Sequence, residues 1–140
     1  MISFFTADIT YALRSRGNLR SWLAEVAGKE GFKIGELNII LCSDEYLYKM
    51  NVSYLKHKTL TDIITFDNSS GKGVISGELY ISLERVRENA KHLNISLKDE
   101  LHRVMVHGLL HLCGYTDKRP GEKKRMRDRE DLYLSKREFK

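Results

Sequence analysis

The sequence predicts an α+β fold, a mixed sheet of about four strands with helices packed mainly on one side, and three observations carry that expectation. Apolar runs suited to strands alternate with amphipathic stretches at helical spacing. Capping residues and glycines fall where the helical stretches begin and end. A cluster of turn formers, Asn68-Ser-Ser-Gly-Lys-Gly73, separates two strand-like runs in the manner of a hairpin. The chain of 140 residues is 41% hydrophobic, which suits one domain over residues 1–140 with a substantial core. No internal repeat, linker or low-complexity tract interrupts it.

Taken in order, Ile2 to Ala7 is an apolar run suited to a strand, and Asn18 caps a helix from about Leu19 to Ala27 that ends at Gly28. Glu36 to Cys42 is a buried strand carried by Leu37, Ile39, Ile40 and Leu41. Ser43 or Asp44 starts a helix reaching about Tyr54. Leu60 to Phe66 and Val74 to Leu83 are strands, Glu84 to Leu93 is a helix, and Asn94-Ile95 connects it to the next. Ser96 followed by Asp99 forms a capping box, after which Leu97, Leu101, Val104, Met105 and Leu109 recur at helical spacing up to Cys113. Gly114 stands just past the last turn as a C′ residue. Pro120 fits the first turn of a final helix reaching about Lys136.

The chemistry concentrates at the end of the Ser96–Cys113 helix, in the run His107-Gly-Leu-Leu-His111-Leu-Cys-Gly114-Tyr-Thr-Asp117. Residues at i and i+4 lie about 40° apart around a helix, so the two imidazoles converge on one ion. The glycine turns the backbone so that Asp117 reaches the same point as third ligand, leaving a fourth position open, as in catalytic rather than structural sites. Metzincin proteases share the His-x-x-x-His-x-x-Gly frame, but they place a glutamate base after the first histidine. That place is Gly108 here, so a protease lacks its proton acceptor. The alternative, two satisfied core histidines, does not account for the glycine and aspartate behind them.

His107-Gly-Leu-Leu-His111-Leu-Cys-Gly-Tyr resembles the signature H-G-x-L-H-L-x-G-Y of the YbeY family of bacterial metal-dependent endoribonucleases. Asn51-Val-Ser-Tyr54, continuing to Leu60-Thr-Asp-Ile-Ile-Thr-Phe66, is similar to that family's N-x-x-Y-R…P-T-D-V-L-S-F, and Gly77-Glu-Leu-Tyr-Ile81 to its G-D-I-x-I. Order and spacing agree over roughly residues 36–117. The resemblance implies the same α+β architecture, with a metal site between the metal helix and the sheet. It implies a single-strand-specific endoribonuclease that matures the 3′ end of small-subunit ribosomal RNA in ribosome biogenesis, with the small ribosomal subunit as partner.

Two departures accompany the likeness. The family's third ligand is usually histidine, and Asp117 occupies its place, which lowers the site's charge by one unit and brings harder ions such as manganese or magnesium into range beside zinc. One divalent metal, zinc in the first instance, is the cofactor expected. The family's arginine after the tyrosine is Leu55, and its task toward the RNA phosphate passes to the adjacent Lys56, His57 and Lys58. The alternative for those three is a solvated loop. Thr61, Asp62 and Thr65 lie in the matching strand block and could face the cleft.

Composition excludes other classes. No run approaches the roughly 18 apolar residues of a membrane span, and the start Met1-Ile-Ser-Phe-Phe-Thr-Ala-Asp8 lacks the features of a signal peptide, so a cytoplasmic protein is expected. Cys42 and Cys113 have no CxxC spacing and read as reduced structural thiols, Cys113 lying about 200° around the helix from His111. Residues 1–117 balance 14 Lys+Arg against 14 Asp+Glu, whereas residues 118–140 hold 10 against 5, so all of the net +5 follows the metal motif. Lys118, Arg119, Lys123 and Lys124 would draw a polyanion to the open coordination position. The competing expectation is a solvent-facing helix of mixed charge, with Glu130 among its polar positions.

The expected mechanism is cleavage of RNA phosphodiesters with metal as Lewis acid at His107, His111 and Asp117, and Lys56 and His57 beside the reacting phosphate. No general base is evident, and Asp117 is the first candidate should it not be a ligand. The rival from another class is a ribosome-assembly or RNA-binding factor whose ion only braces the fold; a metalloprotease ranks third.

Overall fold

The computed structural model describes residues 1–55 and 61–139. Four strands and five α-helices follow in the order β1 (Ile2–Thr6), α1 (Arg16–Lys29), β2 (Lys33–Cys42), α2 (Asp44–Met50), β3 (Ile63–Asp67), β4 (Val74–Ser82), α3 (Leu83–Leu93), α4 (Leu97–Leu112) and α5 (Pro120–Ser135). Helix α2 passes directly into a π-helical turn, Asn51–Leu55. The sheet order is β1-β2-β4-β3. Strands β1, β2 and β4 are parallel and β3 returns antiparallel along β4, so the sheet is mixed and β3 is an edge strand.

Strand periodicity divides the side chains between two faces. Leu37, Ile39 and Leu41 of β2 and Ile75, Leu79 and Ile81 of β4 enter the main core with α1, α3, α4 and α5. On the opposite face Cys42 and Ile64 form a small cluster with Leu47 of α2, with Met50, Phe66 and Tyr80 packed around them. Four helices therefore share one face, as the sequence predicts, and α2 is the exception.

Element boundaries differ from expectation where tertiary pairing overrides local signals. Helix α1 begins at Arg16 behind Ser15 rather than at an Asn18 cap, and it continues through Gly28 to Lys29 because Val26 and Ala27 remain buried in its last turns. The reversal falls instead on Gly31, whose φ of 89° suits glycine. Strand β2 starts at Lys33, since pairing of Lys33 with Val74 extends it past a register shift between Ile34 and Leu37.

The metal helix behaves as predicted at both ends. Ser96 Oγ accepts from the Asp99 amide at 3.0 Å. At the other end Gly114 has φ 103°, the Gly114 amide donates to His111 O at 3.0 Å and the Tyr115 amide to Leu110 O at 3.0 Å, the two bonds of a Schellman closure. Gly108 faces the sheet: a Cβ there would stand 2.7 Å from Ile63 Cδ1 and 2.9 Å from Leu79 Cδ2. The missing side chain lets α4 close onto β3 and β4, which brings the histidines on either side of Gly108 to the sheet edge. A glutamate base at this position has no room and would point away from the histidines, which removes the protease geometry.

Candidate metal centre

His107 and His111 stand on the last turns of α4, and the Schellman closure carries the chain back so that Asp117 faces both. His107 Nε2 and His111 Nε2 are 3.0 Å apart. Asp117 Oδ2 lies 3.2 Å from the first and 3.4 Å from the second. Ligands about 2.1 Å from a tetrahedral ion are separated by roughly 3.4 Å, so the triangle has the size that such an ion requires. Among the described residues this is the one group of three side chains arranged to hold a metal.

The outer nitrogens fix the tautomers. His111 Nδ1 is 3.0 Å from Tyr115 O, and a carbonyl only accepts, so Nδ1 donates and Nε2 keeps its lone pair. His107 Nδ1 is 2.6 Å from Glu130 Oε2, where it donates to the carboxylate. Two lone pairs and a carboxylate oxygen thus confront one another at contact distance, an arrangement that a cation reconciles. The Tyr115 carbonyl and the Glu130 carboxylate are the outer partners that metal-binding histidines ordinarily have. Burial disfavours the charged form of His107, but Glu130, Asp117 and Asp62 outweigh it and raise its pKa. A divalent ion would draw on the same negative field.

Glu130 was expected among solvated charges, and the structure buries it instead at 5% exposure. Its stripe on α5 is Met126, Glu130 and Tyr133, all buried. Their i, i+4, i+7 spacing was the available signal, masked by the charges around it. Arg103 holds the other carboxylate oxygen at 3.2 Å and also reaches Asp131 at 2.9 Å. Outer support for His107 therefore comes from a helix 23 residues away in sequence.

Two clefts meet at the triad. One, of about 850 Å³, runs along β3 and is lined by Thr61, Asp62, Thr65, Asn51 and Lys118 together with His107, His111 and Asp117. The other, of about 460 Å³, lies between α3, α4 and α5 and is lined by Asp62, Asn89, Glu100, Arg103, Lys123 and Glu130 among others. Burial pushes the Asp62 carboxyl above its ordinary pKa, partly offset by His107. Thr61, Asp62 and Thr65 thus line the metal cleft.

The basic residues divide. Lys118 and Lys123 line the two clefts at the triad. Lys124 instead pairs with Asp128 at 3.1 Å on exposed surface, and Arg119 stands at the N-cap of α5 with its amide donating to Glu122 Oε1 at 3.1 Å. Lys56, His57 and Lys58 lie outside the described residues. Cys113 is not in the triad, and burial pushes its thiol up to about 12. No described helix is long and apolar enough to cross a membrane.

Comparison with known proteins agrees with this geometry. The family profile described as Endoribonuclease YbeY matches residues 5–138. The chain is 54% identical over 138 residues to the Endoribonuclease YbeY of Cytophaga hutchinsonii, covering 99% of this chain and 96% of that protein. It is 46% identical over 127 residues to the Endoribonuclease YbeY of Flavobacterium johnsoniae, covering 91% of each. The solution structure of TM1509 from Thermotoga maritima superposes with a TM-score of 0.67 at 27% identity, over 96% of this chain and 87% of that one.

Proposed function

Because the chain belongs to the YbeY endoribonuclease family, we propose that it is a metal-dependent endoribonuclease, acting on single-stranded ribosomal RNA during maturation of the small-subunit 3′ end. The observation that carries this reading is the convergence of His107 Nε2, His111 Nε2 and Asp117 Oδ2 within 3.4 Å of one another, with both Nδ1 atoms held by acceptors. These three residues would hold one divalent ion, zinc by the nitrogen-rich set, with manganese favoured more than under three imidazoles because Asp117 supplies charge. Such an ion supplies Lewis-acid stabilisation of a phosphoryl oxygen and lowers the pKa of water beside it.

The remaining work falls to the chain. Glu130 and the Tyr115 carbonyl keep both imidazoles oriented with Nε2 inward. Lys118 lines the β3 cleft and would attract the phosphate backbone, with Lys123 on the other side of the triad. Arg119 and Lys124 add to the field at longer range, and Lys56, His57 and Lys58 are proposed to meet the phosphate in place of the family arginine. Half-buried Asp62, which lines both clefts, would serve as the proton acceptor for the attacking group. Activity in the cytoplasm on a small-subunit precursor, in contact with small-subunit proteins, completes the proposal.

The test is cleavage of a ribosomal RNA fragment carrying an unprocessed 3′ end. Cleavage should cease after chelation and return with zinc or manganese. Undiminished cleavage by stripped protein would overturn the reading.

A further inference from the structure

We propose that the sheet face opposite the four main helices carries a base-stacking platform for single-stranded RNA, continuous with the metal cleft. The inference takes its RNA from the endoribonuclease reading above, and its evidence from a different part of the molecule.

Four rings form an unbroken surface series. Tyr46 of α2 stacks on Tyr80 of β4, with centroids 6.3 Å apart and planes at 22°. Tyr80 meets Phe66 of β3 edge-to-face at 5.9 Å, and Phe66 meets Tyr54 of the π-helical turn in the same way at 6.2 Å. The four come from four different elements, so tertiary structure assembles the series. Tyr54 ends it at 70% exposure. A ring so exposed yet seated on a partly buried neighbour offers a π face to solvent at little further ordering cost, which is what stacking with a base requires.

Continuity with the cleft identifies the occupant. Strand β3 presents Phe66 to the platform, while Thr65 and Asp67, its neighbours in sequence, line the cleft that also holds the triad. Asn51, in the same π-helical turn as Tyr54, lines it too. A strand whose bases rest on Tyr54 and Phe66 therefore passes its backbone over the β3 edge toward His107 and Asp117. Thr61, Thr65 and Asn51 give that path neutral hydrogen-bonding groups beside the carboxylates of Asp62 and Asp67, and Lys118 gives it positive charge. A duplex keeps its base faces inside and cannot use the rings. The surface thus selects unpaired RNA by stacking, with little demand on sequence.

The test uses the full-length, metal-loaded protein and fluorescence anisotropy of a short, cleavage-resistant phosphorothioate RNA, beside an abasic ribose-phosphate chain of equal length. Tyr54→Ala should weaken binding of the base-bearing strand about tenfold and leave the abasic chain unaffected, while Tyr54→Phe binds as the parent does. The exposure of Tyr54 makes an unchanged thermal midpoint the expected control. Equal binding by Tyr54→Ala and the parent overturns the platform. So does equal affinity for the two strands, which leaves the rings to a protein partner. A parallel cleavage assay separates the two readings: base-dependent binding lost in Tyr54→Ala while the parent cuts no RNA upholds the platform and sinks the nuclease, and the reverse pattern does the opposite.

Discussion

Helix α4 carries histidines in two opposite settings only five residues apart. His102 is 2% exposed, between Trp22 at 5.8 Å and Phe139 at 5.7 Å, and Arg137 Nη1 points at its Nδ1 from 2.7 Å. A guanidinium only donates, so this imidazole accepts and stays neutral, its pKa driven down to about 4 by burial and by Arg137. His107 is also largely enclosed, yet its neighbours are Glu130, Asp117 and Asp62, which raise its pKa. The helix and the residue type are shared. What differs is the sign of the charge that other elements bring up: a cation from the C-terminal segment sets off a core histidine, and carboxylates surround the candidate ligand.

The largest effect that tests this contrast is loss of an inward nitrogen. His107→Ala or His111→Ala should lower zinc or manganese affinity at least about 100-fold by competition with a chromophoric chelator. His102→Ala should leave that affinity unchanged while lowering stability, and a metal defect in His102→Ala would erase the distinction. Next is the outer carboxylate. Glu130→Ala should weaken metal binding about 10- to 100-fold, with Glu130→Gln affected less because its amide oxygen still accepts from His107.

A third prediction concerns pH. His102 binds its proton near pH 6.5 when unfolded but only near 4 when folded. Its contribution to stability is thus complete above about pH 6.5 and is lost as pH falls toward 4, on the order of 3 kcal/mol over that window. Urea midpoints at pH 7 and 5 should show the loss, and His102→Gln should flatten it; an equally steep profile in the variant would assign the effect elsewhere. The smallest expected change sharpens the other half. Asp117→His should shift preference from manganese toward zinc by roughly tenfold or less, seen in paired titrations. No change in the metal ratio would mean that Asp117 does not set the ion's environment.

Legibility in the sequence followed range along the chain. Ser96, His107, His111, Gly114 and Asp117 were readable because a helical repeat, its cap and a glycine closure act within one segment. Asn18 failed as a cap because packing of the first helix carried it back to Arg16. Glu130 was hidden because a charged residue in a basic helix reads as solvated unless the partner that buries it is known. Gly108 was legible only as a missing base; its contacts with Ile63 and Leu79 reveal that it sets the helix-to-sheet distance.

By itself the sequence determined the fold class, the order of strands and helices, and three candidate ligands on one local run, because backbone periodicity and turn chemistry depend on neighbours a few residues away. Tertiary structure alone decided which histidine meets an arginine and which meets carboxylates, that Asp62 lines both clefts, and that rings from α2, β3 and β4 share a surface. Those outcomes depend on electrostatic fields and close packing between segments far apart in the chain, and no local pattern encodes them.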